Sequence, residues 1–74
     1  MEIIYTDHTR IRMNQRDITE ADIKMTLGSP DQIFPSFGGR KCARKMIKGE
    51  TLEVVFVKEN DQTIVITTYW LEGD

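Results

Sequence analysis

Residues 51–71 read TLEVVFVK, then ENDQ, then TIVITTYWL, two apolar and β-branched runs separated by four polar turn formers. That is the signature of a β-hairpin, with strands over Thr51–Lys58 and Thr63–Leu71. With a two-residue Asn60-Asp61 turn, Leu52, Val54 and Phe56 share a face with Val65, Thr67 and Tyr69, while Val55 and Val57 join Ile64 and Ile66 opposite. A three-residue turn exchanges the facing set. In either register both faces are apolar, so the sheet built on this hairpin needs cover on two sides.

Working upstream, Lys48-Gly49 is a turn into a strand over Arg40–Ile47, and Gly38-Gly39 is a turn before it. Gln32 to Phe37 is weakly extended and interrupted by Pro35, which suits an edge strand. Before Pro30 the period becomes helical. Thr19 reads as an N-cap, Asp22 as its capping-box partner, and Ile18 with Ile23 as a hydrophobic staple, opening a helix over Glu20–Leu27. Gly28 is expected in the left-handed position after it, with Pro30 blocking continuation. A first helix, capped by Thr6 or Asp7, runs to about Asp17, and Glu2–Tyr5 is a short extended segment. The fold class is therefore α+β: a short N-terminal strand and two helices packed on one face of a three- to four-stranded antiparallel sheet. The second face is covered by a partner, by another copy of the chain, or by the loop around Phe34 and Phe37 folding back.

Seventy-four residues, 39% hydrophobic and 30% charged, read as one domain over residues 1–74. A chain this short buries a modest fraction of its surface, which favours association. Glu2 and the absence of a basic flank exclude a secretory leader at the N-terminus, and no apolar run reaches membrane-spanning length. The single cysteine, Cys42, excludes an internal disulfide and suits a reducing compartment, so the chain is read as cytoplasmic with no membrane contact. The net charge of −2 argues against a general nucleic-acid binder, yet the charge is polarised. Arg40, Lys41, Arg44, Lys45 and Lys48 cluster without an acid, whereas Glu50, Glu53, Glu59, Asp61, Glu72 and Asp74 load the C-terminal third.

The chemical lead is a stripe in the first helix. His8, Arg12 and Arg16 recur at four-residue spacing, so a helix places them along one side. A histidine beside two guanidiniums is suited to phosphate chemistry, one group moving a proton and two holding negative charge. The plain structural alternative makes His8 a cap or a ligand of strand backbone. Arg16 is then a helix-end cation paired with Asp17 or Glu20. Met13 and Ile11 read as packing residues and Cys42 as a buried small hydrophobe. One histidine and one cysteine cannot form a structural zinc site, no calcium-loop spacing occurs, and Gly38-Gly39 lacks the lysine and helix of a phosphate loop. No cofactor and no metal are expected.

Tyr5-Thr6-Asp7-His8, Arg12-Met13, Arg16, Ile18-Thr19, Ser29-Pro30, Gly49, Val54 to Val57, and Val65-Ile66-Thr67 with Tyr69 stand in an order that resembles a small prokaryotic family. It is catalogued as domain of unknown function 4258. That family is similar in fold to the RelE and ParE toxins of toxin-antitoxin pairs, so the resemblance implies a toxin-like fold. It also implies, as one functional reading, an RNA-acting toxin of the mRNA interferase type, a metal-independent endoribonuclease that works alone or on the ribosome and is neutralised by an antitoxin-like protein. Under that reading His8 is the acid or base and Arg12 and Arg16 stabilise charge on the phosphorane. Arg40, Lys41, Arg44 and Lys45 hold RNA, and Tyr69 or Trp70 stacks on a base. The acidic ending Leu71-Glu72-Gly73-Asp74 departs from the basic C-termini of RelE-type nucleases, so no catalytic residue carries over position by position. The other reading keeps the fold and drops the chemistry, giving a non-catalytic protein-binding module or a homodimer formed through the sheet.

Overall fold

In the computed structural model, which describes residues 2–71, the chain runs β1 (Glu2–Tyr5), α1 (Asp7–Arg16), α2 (Glu20–Gly28), β2 (Gln32–Pro35), β3 (Lys41–Ile47), β4 (Glu50–Glu59) and β5 (Gln62–Leu71). A short 3₁₀ turn occupies Phe37–Gly39. Thr6 caps α1 by accepting from the Thr9 amide, and Asp17 closes it in the left-handed conformation at φ 55° while its amide donates to the Met13 carbonyl. The Thr19–Asp22 capping box forms as the sequence predicts, with both bonds near 3 Å. Gly28 does not take the left-handed position expected of it: it is the last residue of α2, and the Ser29 amide closes the helix onto Met25.

The five strands lie in the order β1-β5-β4-β3-β2. Strands β2 to β5 are antiparallel, and β1 pairs parallel with β5, so the sheet has more strands than expected and is mixed. The Lys48-Gly49 turn has positive φ at both residues, 53° and 87°, as the tight hairpin turns that match strand twist require. It sets Arg44 directly opposite Glu53.

The last hairpin keeps the two-residue turn, with Glu59 facing Gln62 and Phe56 facing Val65, and then slips at Val55/Phe56. Ile66 is the extra residue, so Thr68 and Trp70 rather than Thr67 and Tyr69 share the face of Val54 and Leu52. The face expected for the far half of β5 is thereby reversed. A bulge frees carbonyls from the ladder, and the buried Thr9 hydroxyl donates to the Val65 carbonyl at 2.8 Å. This pins α1 onto β5.

Both helices cover one face. Met13 of α1, Ile18 of the connection between the helices and Ile23 of α2 pack with Ile47, Leu52, Val54 and Val65, with Ile3, Tyr5, Leu27 and Trp70 at the margin. Ile11 lies outside this core and is 56% exposed. The opposite face carries Ile4, Phe34, Cys42, Arg44, Glu53, Val55, Val57, Ile64 and Tyr69 by strand alternation. No described element covers it. Phe37 does not fold back over it and is 93% exposed.

Candidate functional site

Helix α1 buries Thr9 and Met13 against β5, and that choice fixes where the stripe points. At about 100° per residue, His8 lies roughly 100° from the Thr9 direction, Arg12 about 60° and Arg16 about 20°. The row therefore winds from the outside of the helix toward its packed side. His8 and Arg16 are exposed and Arg12 is half-buried. No side chain of the three makes a hydrogen bond or ion pair among the described residues. His8 neither caps the helix nor binds strand backbone. Glu20 pairs instead with Arg10, at 3.3 Å, and Arg10 also lies over the Tyr5 ring at 4.9 Å. At Arg16 it is the backbone carbonyl that is engaged, by the Trp70 indole N–H at 2.9 Å.

The basic residues of β3 are not gathered into one strip. Arg40 precedes the strand, Lys41 and Lys45 point to the helix side, and Arg44 points to the open side. Lys45 donates to the Ser29 carbonyl at 2.9 Å and pairs with Asp31 at 3.8 Å. Between β3 and the strand carrying α1 lies β4, and α2 packs on β3 and β4. The stripe and the basic strand thus stand on separate parts of the surface.

The open face does bring polar groups together. Glu53 is 4% exposed and accepts from Arg44 Nε at 2.6 Å and from the Tyr69 hydroxyl at 2.5 Å. The Arg44 guanidinium stacks on Phe34 at 4.7 Å. These three side chains form a lid of the sheet's own making, under which Cys42, Glu53 and Val55 are buried. Burial, the largest single influence on Glu53, pushes its carboxyl up. The Tyr69 and Arg44 hydrogen bonds and the Arg44 charge outweigh it, and the net position is below the ordinary carboxylate value. Tyr69 is pushed up to about 12 by burial and then by Glu53. Burial likewise raises the Cys42 thiol, with the Glu53 charge adding to it and a Ser36 hydrogen bond opposing. A thiol held protonated is a weak nucleophile. The cluster is a fixed charge network and holds no group set to exchange a proton near neutrality.

Half of this cluster was available to sequence reasoning. Counting outward from Lys48-Gly49 places Arg44 opposite Glu53, an ion pair readable from the turn alone. Tyr69 falls there in the sequence only under the three-residue turn; with the two-residue turn that forms, it reaches the Glu53 face through the bulge at Ile66. It donates to Glu53 instead of standing free for a base, and Trp70 is likewise bonded, to α1. Among the described residues no group of three or more His, Cys, Asp or Glu side chains is placed to hold a metal ion, and no helix is long and apolar enough to cross a membrane.

The chain belongs to the family described as Domain of unknown function (DUF4258), whose model matches residues 5–70. No curated relative and no solved structure matches it.

Proposed function

We propose, from membership of that family and the geometry above, that the chain is a non-catalytic binding module that associates with a second copy of itself through the open face of its sheet. One observation carries this reading: a five-stranded sheet has helices on one side only, while its other side presents Ile4, Val57, Ile64 and Phe34 around a cluster whose charges cancel. A two-fold contact sets each apolar patch against its own copy, with Glu2 and Glu59, which share the face, at the strand ends. Two such sheets stack about 10 Å apart with interleaved side chains. The test is sedimentation equilibrium on the purified chain. The reading requires a concentration-dependent dimer that Val57→Asp or Ile64→Asp converts to monomer, and a wild-type monomer throughout the micromolar range rejects it.

A second reading, the RNA-acting toxin, is favoured by a different observation. His8 and Arg16 are exposed and Arg12 is half-buried along one row of α1, and none of the three has an acidic partner among the described residues. Under it, induced expression arrests growth, and His8→Ala or Arg12→Ala relieves the arrest at unchanged protein level. Harmless expression together with no salt-dependent RNA binding rejects it.

A further inference from the structure

On the helix side, past the C-terminal end of α2, a small hollow of about 90 Å³ is lined by Leu27, Ile33, Lys41, Phe56, Lys58 and Thr63. Its floor follows from register. Lys41 is paired across the strands with Phe56, Lys58 with Thr63, and Lys58 stands two residues from Phe56 on the same face. Two ammonium-bearing chains therefore bracket one buried aromatic ring, and Leu27 and Ile33 supply apolar walls. Ile33 is 55% exposed.

We propose that this hollow binds a short aliphatic carboxylate. Three independent features select that chemistry. The walls are apolar and the volume is that of about three water molecules, which suits a branched alkyl group of four or five carbons rather than a drug-sized ligand. Neither Lys41 nor Lys58 forms an ion pair among the described residues, so the rim carries two ammonium groups free to meet an anion. Thr63 is 1% exposed, and its hydroxyl is buried without a hydrogen-bond partner. An unpaired buried hydroxyl is costly, and a shift of the Thr63 side chain toward a carboxylate seated in the hollow would give it the missing acceptor. The negative end of the α2 dipole lies nearby and opposes an anion, but two whole ammonium charges exceed its half charge. Lys58 also lines the neighbouring groove on the other side of Thr63, together with Glu2 and Asp61, and the charge of those two carboxylates directs the anion to the Lys41 side. The site is separate from the open sheet face and does not depend on self-association.

Amide NMR spectra titrated with sodium 3-methylbutanoate test this directly, with 3-methylbutanol and sodium chloride as controls. Saturable shifts are expected at Leu27, Ile33, Phe56 and Thr63, with a Kd of about 1–10 mM, as befits so small a ligand. The double variant Lys41→Met/Lys58→Met, both exposed positions, should weaken binding at least tenfold while leaving the rest of the spectrum unchanged. Thr63→Val should weaken it a few-fold. A peptide ending in a free leucine carboxylate, compared with the same peptide amidated, separates the two sources of this group. Tighter binding of the free-ended peptide than of the acid assigns the site to a chain terminus, and the reverse assigns it to a free small acid. Shifts that do not saturate, equal binding of the alcohol, or full binding by the double variant overturns the proposal.

Discussion

The two faces of this sheet alternate along the same strands yet are organised by different forces. On the helix side Ile23, Leu52, Val54 and Val65 are fully buried beneath α1 and α2, an apolar core of the ordinary kind. On the open side Cys42, Glu53 and Val55 are also buried, with no layer over them. Arg44, Phe34 and Tyr69 lie across the strands and take the place of that layer. The difference teaches that burial in a small domain does not require a second layer when a charge network orders long side chains along the sheet. The covered face holds the molecule together, and the open face keeps apolar area that no described element covers.

The comparison breaks first on the helix side. Leu52→Ala should cost about 2–5 kcal/mol in chemical denaturation, the loss expected for a fully buried side chain whose cavity does not collapse. On the open side Glu53→Ala should cost about 2–3 kcal/mol, because it leaves the Tyr69 hydroxyl and the Arg44 guanidinium unpaired; Arg44 is about one-third exposed, so solvent recovers part of the loss. A double replacement, Arg44→Met with Glu53→Leu, should be milder than Glu53→Ala alone. If it is worse, the pair contributes more than the cost of its own desolvation. Tyr69→Phe should cost about 1.5–2 kcal/mol, the value of a hydrogen bond to a charged acceptor.

Acid sharpens the same contrast. Glu53 binds its proton more weakly folded than unfolded, so its contribution is complete above the ordinary carboxylate value of about 4.3 and is lost as pH falls through the lower folded value. Denaturation midpoints measured from pH 6 down to pH 2 should therefore fall more steeply in the wild type than in Glu53→Gln. At the other end of the scale, native Tyr69 should give phenolate absorbance near pH 12 rather than 10. The smallest effect belongs to α1: His8→Ala, at an exposed site with no partner, should change stability by no more than about 0.5 kcal/mol.

What the sequence disclosed follows from the range of the interactions. The Thr19–Asp22 box, the Lys48-Gly49 turn and the strong strands are local, and each formed where its residues predict. Gly28 departs from the left-handed position its sequence predicts because a glycine before Ser-Pro can end a helix as its last residue. The bulge at Ile66 has no glycine to announce it. It is sustained from a distance by Thr9 on α1, which takes up a freed carbonyl. Parallel pairing of β1 was equally hidden, since Glu2–Tyr5 holds no directional signal and the partner lies about sixty residues away. For the stripe, spacing was legible but surroundings were not: an i, i+4 row drifts by about 40° per step, enough to separate His8 from the packed side that Arg16 approaches.

Under the self-association proposed above, the open face, and not α1, meets the second copy. Solvent paramagnetic relaxation of methyl groups, recorded as the chain is concentrated, compares the two surfaces in one sample. Ile4, Val57 and Ile64 should become protected from the paramagnetic agent while Ile11 on α1 stays accessible. Protection that appears on α1 around Ile11, with the open face unchanged, would contradict it.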